Sequence, residues 1–80
     1  MHVRAIEGRV ELGPVVRQRR RELGLRQDEL ADLAGVSTRF VHTLEAGKPS
    51  IQMDRVVAVL EVLGLELAVQ PRRHDGEAAT

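Results

Sequence analysis

Eighty residues make at most one small domain, and a core of that size seldom supplies more than a few kcal/mol unless tails, staples or a partner subunit add to it. With no cysteine there is no disulfide framework and no thiolate metal site, a composition compatible with a reducing cytosol. Twelve basic residues balance twelve acidic ones, which speaks against a non-specific polycation but leaves room for a local basic surface.

That local surface is visible at once. Residues 1–26 hold seven arginines (Arg4, Arg9, Arg17, Arg19, Arg20, Arg21, Arg26) against Glu7, Glu11 and Glu22. Residues 1–11 read as a loosely held arm, and their charges lead us to expect no signal peptide. The longest apolar run, Val56 to Leu60, falls far short of the roughly 20 residues that span a bilayer, so no membrane partner is expected. A hydrophobic content of 42% with Phe40 as the single aromatic indicates an aliphatic, folded chain.

From Leu12 the helical punctuation is dense. Pro14 suits a first turn, where its missing N–H would be unpaired anyway. Val15, Val16, Arg19, Arg20 and Leu23 then lie along one side, and Gly24 stops the first helix. A second helix fits Gln27 to Ala34, with Leu30, Ala31 and Ala34 inward and Asp28, Glu29 and Asp32 outward. Gly35 ends it. Ser37 is a good N-cap for a third helix, Thr38 to Ala46, with Val41 and Leu44 inward. Gly47-Lys48-Pro49 is a breaker, and Ser50 can cap a fourth helix over about 51–63, whose apolar residues Met53, Val56, Val57, Leu60 and Leu63 follow helical spacing. Gly64 stops it. The period then changes to two, because Leu65, Leu67 and Val69 alternate with Glu66, Ala68 and Gln70 before Pro71. Residues 71–80 have nothing to bury and read as a mobile polar tail.

The fold class expected is therefore all-α, with four to five short helices, a helix-turn-helix, and a short C-terminal β-strand for pairing between subunits. The organisation is an arm (1–11), a helix-turn-helix domain (12–64), a dimerisation strand (65–70) and a tail (71–80). Two short helices that cross steeply need a small residue at the contact and a glycine at the turn, and Ala31 and Gly35 supply them.

The stretches Leu25-Arg26-Gln27-Asp28-Glu29-Leu30-Ala31, Ala34-Gly35-Val36-Ser37 and Leu44-Glu45-Ala46-Gly47-Lys48 resemble the phage-repressor-like (XRE or Cro-type) helix-turn-helix family over roughly residues 12–64. Within it the chain looks most like the antitoxin branch exemplified by HipB, because the strand 65–70 follows the last helix directly. The resemblance implies a homodimer joined through that strand, repression of its own operon at a palindromic double-stranded DNA operator, and neutralisation of a HipA-type kinase toxin. It implies that Gln27 sits between a phosphate and the recognition helix, and that Arg20 and Glu45 form a partly buried structural pair. Ser37, Thr38, Arg39, His42 and Thr43 match the outward face of the recognition helix. Two residues depart from the pattern: Arg26 stands where a Thr or Ser cap is usual, and Ala46 where an Asn is common.

The chemistry of these residues suits DNA independently of any family. Arg39 can donate two hydrogen bonds to guanine O6 and N7, and Thr38 and Thr43 can offer a hydroxyl to base edges or a methyl to thymine. His42 reads either as a base contact or as an ordinary surface histidine. Arg17, Arg26, Gln27, Ser37 and Lys48 are the expected phosphate contacts, Ser37 doubling as a cap. Arg21, with Arg17, Arg26 and Lys48, can supply sequence-independent attraction to the backbone, while Arg19 and Arg21 taken singly are also readable as a solvated helix face. Phe40 reads as packed rather than base-stacking. The scattered His2, His42 and His74, and the lack of P-loop, G-x-S-x-G or H-E-x-x-H motifs, lead us to expect no enzyme, no metal and no cofactor. A DNA-binding cytoplasmic repressor is the leading expectation. A stand-alone phage-type repressor, or a module of the same shape that binds only a protein, is the alternative.

Overall fold

A computed structural model describes residues 2–3, 5–6, 9–10, 12–48, 52–68 and 71. Four helices form the body: α1 (Leu12–Glu22), α2 (Gln27–Ala34), α3 (Thr38–Glu45) and α4 (Met53–Val62). Pro14 falls in the first turn of α1, where no intrahelical acceptor awaits its nitrogen. The turn between α2 and α3 depends on Gly35, whose φ of 72° is strained for any residue with a Cβ. That conformation lets the Val36 N–H reach back to the Ala31 carbonyl at 3.0 Å and close the end of α2. Ser37 then caps α3 by accepting the Phe40 N–H at 3.0 Å. The third helix ends one residue earlier than expected, with Ala46 as its C-cap. The fourth starts later: residues 49–51, including the expected cap Ser50, lie outside the described residues, and the Gln52 carbonyl accepts the first helical bond at 3.1 Å from the Val56 N–H.

The core is one aliphatic cluster. Val16 comes from α1, Leu30 and Ala31 from α2, Val41 and Leu44 from α3, and Val56, Val59 and Leu60 from α4, with Leu63 and Leu65 closing the end. Each fully buried Val or Leu contributes roughly 1.5–3 kcal/mol relative to exposure. Phe40 packs half-buried at the margin, as does Val36. Two expected inward residues of α4 point outward instead: Met53 is 52% and Val57 39% exposed. The buried stripe runs through Val56, Val59, Leu60 and Leu63, so Val59 takes the inward place expected of Val57. Leu23, expected along the buried side of α1, lies exposed in the turn that follows the helix.

Gly13 has a role that its place beside Pro14 conceals. It is buried where α1 crosses the end of α3, and a Cβ built there would lie 2.5 Å from the Glu45 carbonyl oxygen and 3.0 Å from that of Leu44. Only a hydrogen atom fits between the two backbones. Segments from the two ends of the chain also meet. Residues read as a loose arm contain three two-residue strands, β1 (His2–Val3), β2 (Ala5–Ile6) and β3 (Arg9–Val10). Strands β2 and β3 pair antiparallel with each other. The expected strand over 65–70 is shorter, β4 (Glu66–Leu67); Leu65 belongs to the core, and Val69 and Gln70 lie outside the described residues. Where a second subunit was expected as the partner of this strand, β1 of the same chain pairs with it in parallel, His2 opposite Glu66 and Val3 opposite Leu67.

Replacing Gly13 by Ala should cost about 1–3 kcal/mol, the usual penalty for overpacking, because neither carbonyl can give way without moving a helix. Urea denaturation of the G13A variant checks it, and an unchanged midpoint would place the two helices farther apart.

Candidate nucleic-acid interface

The site is organised around a carboxylate. Glu45 ends α3 with a side chain that has no solvent exposure, and a bare buried charge there would be strongly unfavourable. It is met by a fork: Arg20 Nε donates to Oε2 at 2.6 Å and Nη2 to Oε1 at 3.0 Å. Gln27 Nε2 donates to the same Oε1 at 3.2 Å, and Arg17 Nε approaches it at 3.5 Å. The third corner of the Arg20 fork, Nη1, donates to the Leu25 carbonyl at 2.7 Å. The carboxylate thus ties α1 and the start of α2 to the end of α3, and Arg20 adds the loop before α2. The expected Arg20–Glu45 pair is present, and no buried side-chain nitrogen or oxygen among the described residues lacks a partner.

Burial pushes the Glu45 carboxyl up, but the hydrogen bonds from Arg20 and Gln27, the Arg20 charge and the Arg17 contact together outweigh it and hold the group below its ordinary value. The hydrogen bond to Glu45, against the opposing effect of burial, raises the Arg20 guanidinium further above its ordinary value.

With its inner side fixed in this way, α3 presents the opposite side outward. Thr38, Arg39 and His42 are exposed and Thr43 is half-buried, while Val41, Leu44 and Glu45 face the body. The four outward residues recur at i, i+1, i+4 and i+5, one face of a helix. Arg39 is exposed and makes no hydrogen bond or ion pair among the described residues, so none of its donors is used there.

The residues expected at phosphates are not equally disposed. Gln27 uses one amide N–H on Glu45 and keeps the second. Ser37 is committed as the cap of α3, and Lys48 sits exposed beyond the opposite end of that helix. Arg26 occupies the N-cap of α2 without being able to cap as Ser or Thr would, since a guanidinium accepts nothing. Its backbone N–H instead donates to Glu29 Oε1 at 2.8 Å. Its side chain donates to Asp28 at 3.1 Å and lies 3.8 Å from Glu29, contacts that a phosphate has to displace. The hydrogen bond from Arg26 lowers the Asp28 carboxyl, and the same bond raises Arg26. Arg19, readable as a solvated face, is a structural tie: its Nε donates to the Leu63 carbonyl at 2.9 Å, satisfying the end of α4. A contact spanning 44 residues leaves no local mark in the sequence. Among the described residues no cluster of three or more potential metal ligands occurs, and no helix is long and apolar enough to cross a membrane.

Comparison with known families places this geometry. Residues 11–72 match the model of the helix-turn-helix domain family, which covers most of the chain. The chain belongs to that helix-turn-helix family. The helix-turn-helix chain is also 49% identical over 59 residues to the uncharacterized HTH-type transcriptional regulator y4mF of Sinorhizobium fredii, a match spanning 74% of this chain and 78% of that protein. Among solved structures it resembles the clp gene regulator ClgR of Corynebacterium glutamicum, with a TM-score of 0.62 and 29% identity over 69% of this chain. That match covers 58% of the ClgR chain, less than two thirds of its length.

Two outcomes follow from the Glu45 site of this helix-turn-helix protein. Replacing Glu45 by Ala strands the Arg20 charge and should cost roughly 3–5 kcal/mol, read from a thermal or urea melt. The carboxyl is held below its unfolded value, so its contribution is complete above the unfolded value and fades as pH falls through the folded one. The acid limb of a stability–pH curve should therefore flatten in Glu45→Gln. An acid limb identical to wild type would place that sensitivity elsewhere.

Proposed function

We propose that this chain is a homodimeric, sequence-specific transcriptional repressor that sets α3 in the major groove of double-stranded DNA and acts in the cytoplasm. Membership of a helix-turn-helix family and likeness to a named transcriptional regulator support DNA-binding transcription regulation. The observation that carries the reading here is the outward side of α3: Thr38, Arg39, His42 and Thr43 share one face whose arginine is uncommitted. Arg39 is the base reader with the most specific chemistry, a bidentate donor for guanine, and Thr38 and Thr43 flank it. Arg17, Gln27, Ser37, Lys48 and, once released from its acidic neighbours, Arg26 supply the phosphate contacts.

A two-fold dimer matches palindromic DNA, with recognition helices set one helical turn, about 34 Å, or a multiple of it apart. We assign its interface to the strand around Leu65, Leu67 and Val69. A two-residue ladder such as that of β1 and β4 is marginal by itself, and a second copy enlarges both sheet and core. We further propose that the protein represses its own operon and neutralises a HipA-type kinase toxin. This part rests on the resemblance of the helices followed by a strand to the HipB branch. A second reading, a helix-turn-helix module that binds only protein, is favoured by Leu33, which is 64% exposed on α2, together with exposed Met53 on α4.

Selection of duplexes from a random library, followed by titration of the preferred sequence, tests the leading reading. Arg39→Ala should cost about 1–3 kcal/mol on that duplex and relax the choice of base at one position; unchanged affinity and preference would remove α3 from the recognition role. In sedimentation, wild type should run as a dimer at tens of micromolar or below, roughly, and Leu67→Asp as a folded monomer. A monomeric wild type would remove the strand interface.

A further inference from the structure

The two ends of the chain converge on one small sheet. β4 follows α4 through a closed turn, in which the Leu65 N–H donates to the Leu60 carbonyl at 2.9 Å. Leu65 is buried in the core and Leu67 packs at its margin, so β4 is held against the helices. β1 lies beside it in parallel, His2 opposite Glu66 and Val3 opposite Leu67. A strand has two edges, and a parallel neighbour satisfies one of them. Among the described residues this sheet consists of β1 and β4 alone, so β1 bounds one edge of β4 and no strand bounds the other. β2 and β3 pair only with each other, which leaves β1 as the strand that ties the N-terminal segment to the body. That segment then runs straight into α1, which begins at Leu12 just after β3 ends at Val10.

We infer that β1 is a working part of the subunit interface. It backs β4 on one edge, and the opposite edge of β4 receives the same strand of a second copy, so that each copy brings two strands to a shared sheet with the two β4 strands at its centre. The inference rests on the strand interface proposed above and adds the N-terminal segment to it. β4 is two residues long, and without β1 it would have to be ordered at the moment a second copy arrives, so the conformational cost would fall on association. With β1 in place the strand is extended beforehand, and pairing takes the sheet past the two strands that are marginal in water. The second copy needs an edge that β1 does not occupy, and β4 offers one across a two-fold axis. Linkage makes the effect reciprocal: if β1 strengthens the pairing of copies, pairing holds β1 more firmly on β4.

The combined His2→Pro and Val3→Pro variant of the full chain removes both backbone N–H groups of β1 and touches no helix. Sedimentation equilibrium over a concentration series gives the dimer dissociation constant, and far-ultraviolet circular dichroism gives the helix content. The variant should keep the helix content of wild type and raise the dissociation constant about tenfold, since each copy loses hydrogen bonds that hold β4 extended. In wild type, the β1 amides should exchange with solvent more slowly as concentration rises through the monomer–dimer transition. A variant that dimerises as tightly as wild type overturns the role of β1 and leaves the β4 interface standing, and tighter dimerisation, the mark of a competing strand, does the same. Loss of helix content together with the dimer also overturns it, by making β1 a general support of the fold. A wild type that stays monomeric removes the β4 interface itself, and the inference with it.

Discussion

A single carboxylate without access to water sets the architecture of this small domain. Glu45 cannot remain charged in the interior unless donors converge on it, and α1 and the start of α2 are drawn to the end of α3 to provide them. The bidentate geometry matters more than the attraction itself, because a buried ion pair roughly breaks even against its own desolvation. What the pair contributes is orientation. A guanidinium fork on one helix and a carboxylate at the end of another leave little freedom for sliding or rotation, and the adjacent contact at Gly13, where backbone meets backbone, allows no separation either. The face that α3 turns outward is the complement of the face that these constraints turn inward.

The charge of the molecule makes sense only when it is sorted in space. The chain has no net charge, and four of its twelve acids are paired at short range: Glu45 with Arg20, Glu22 with Arg19, Asp28 and Glu29 with Arg26. Arg39 and Arg21 are left uncompensated among the described residues, on α3 and α1 respectively. Exposed acids such as Asp32, Asp54 and Glu61 stand elsewhere on the body, so a neutral protein presents separate charged points of both signs rather than a diffuse field. Such a distribution favours recognition at defined positions over loose adhesion to any polyanion.

The central pair of helices was legible in the sequence because its determinants are local. Ser37 caps the third helix, Gly35 adopts the left-handed turn, and Leu30, Val41 and Leu44 point inward at helical spacing, all within one short window. The Arg20–Glu45 pair was legible only through the resemblance to a known family, since no local rule joins residues 25 positions apart. What escaped the sequence has the same cause. The Arg19 tie to the Leu63 carbonyl, the closeness of Gly13 to Glu45 and the pairing of β1 with β4 all depend on where distant segments pack. In α4 the apolar residues are too numerous to define one face, so Met53 and Val57 looked internal and Val59 was passed over, although packing buries Val59.

In the proposed function, Glu45 fixes the inner side of α3 so that its outer side reads DNA. Amide chemical-shift mapping of the isotope-labelled protein, titrated with the library-selected duplex, addresses it most directly. The largest shifts are expected at Thr38, Arg39, His42 and Thr43, with smaller ones along α1 and the start of α2, and little change in the α4 core around Val59 and Leu60. Shifts concentrated on α2 and α4 around Leu33 and Met53, with the outward residues of α3 unmoved, would contradict it.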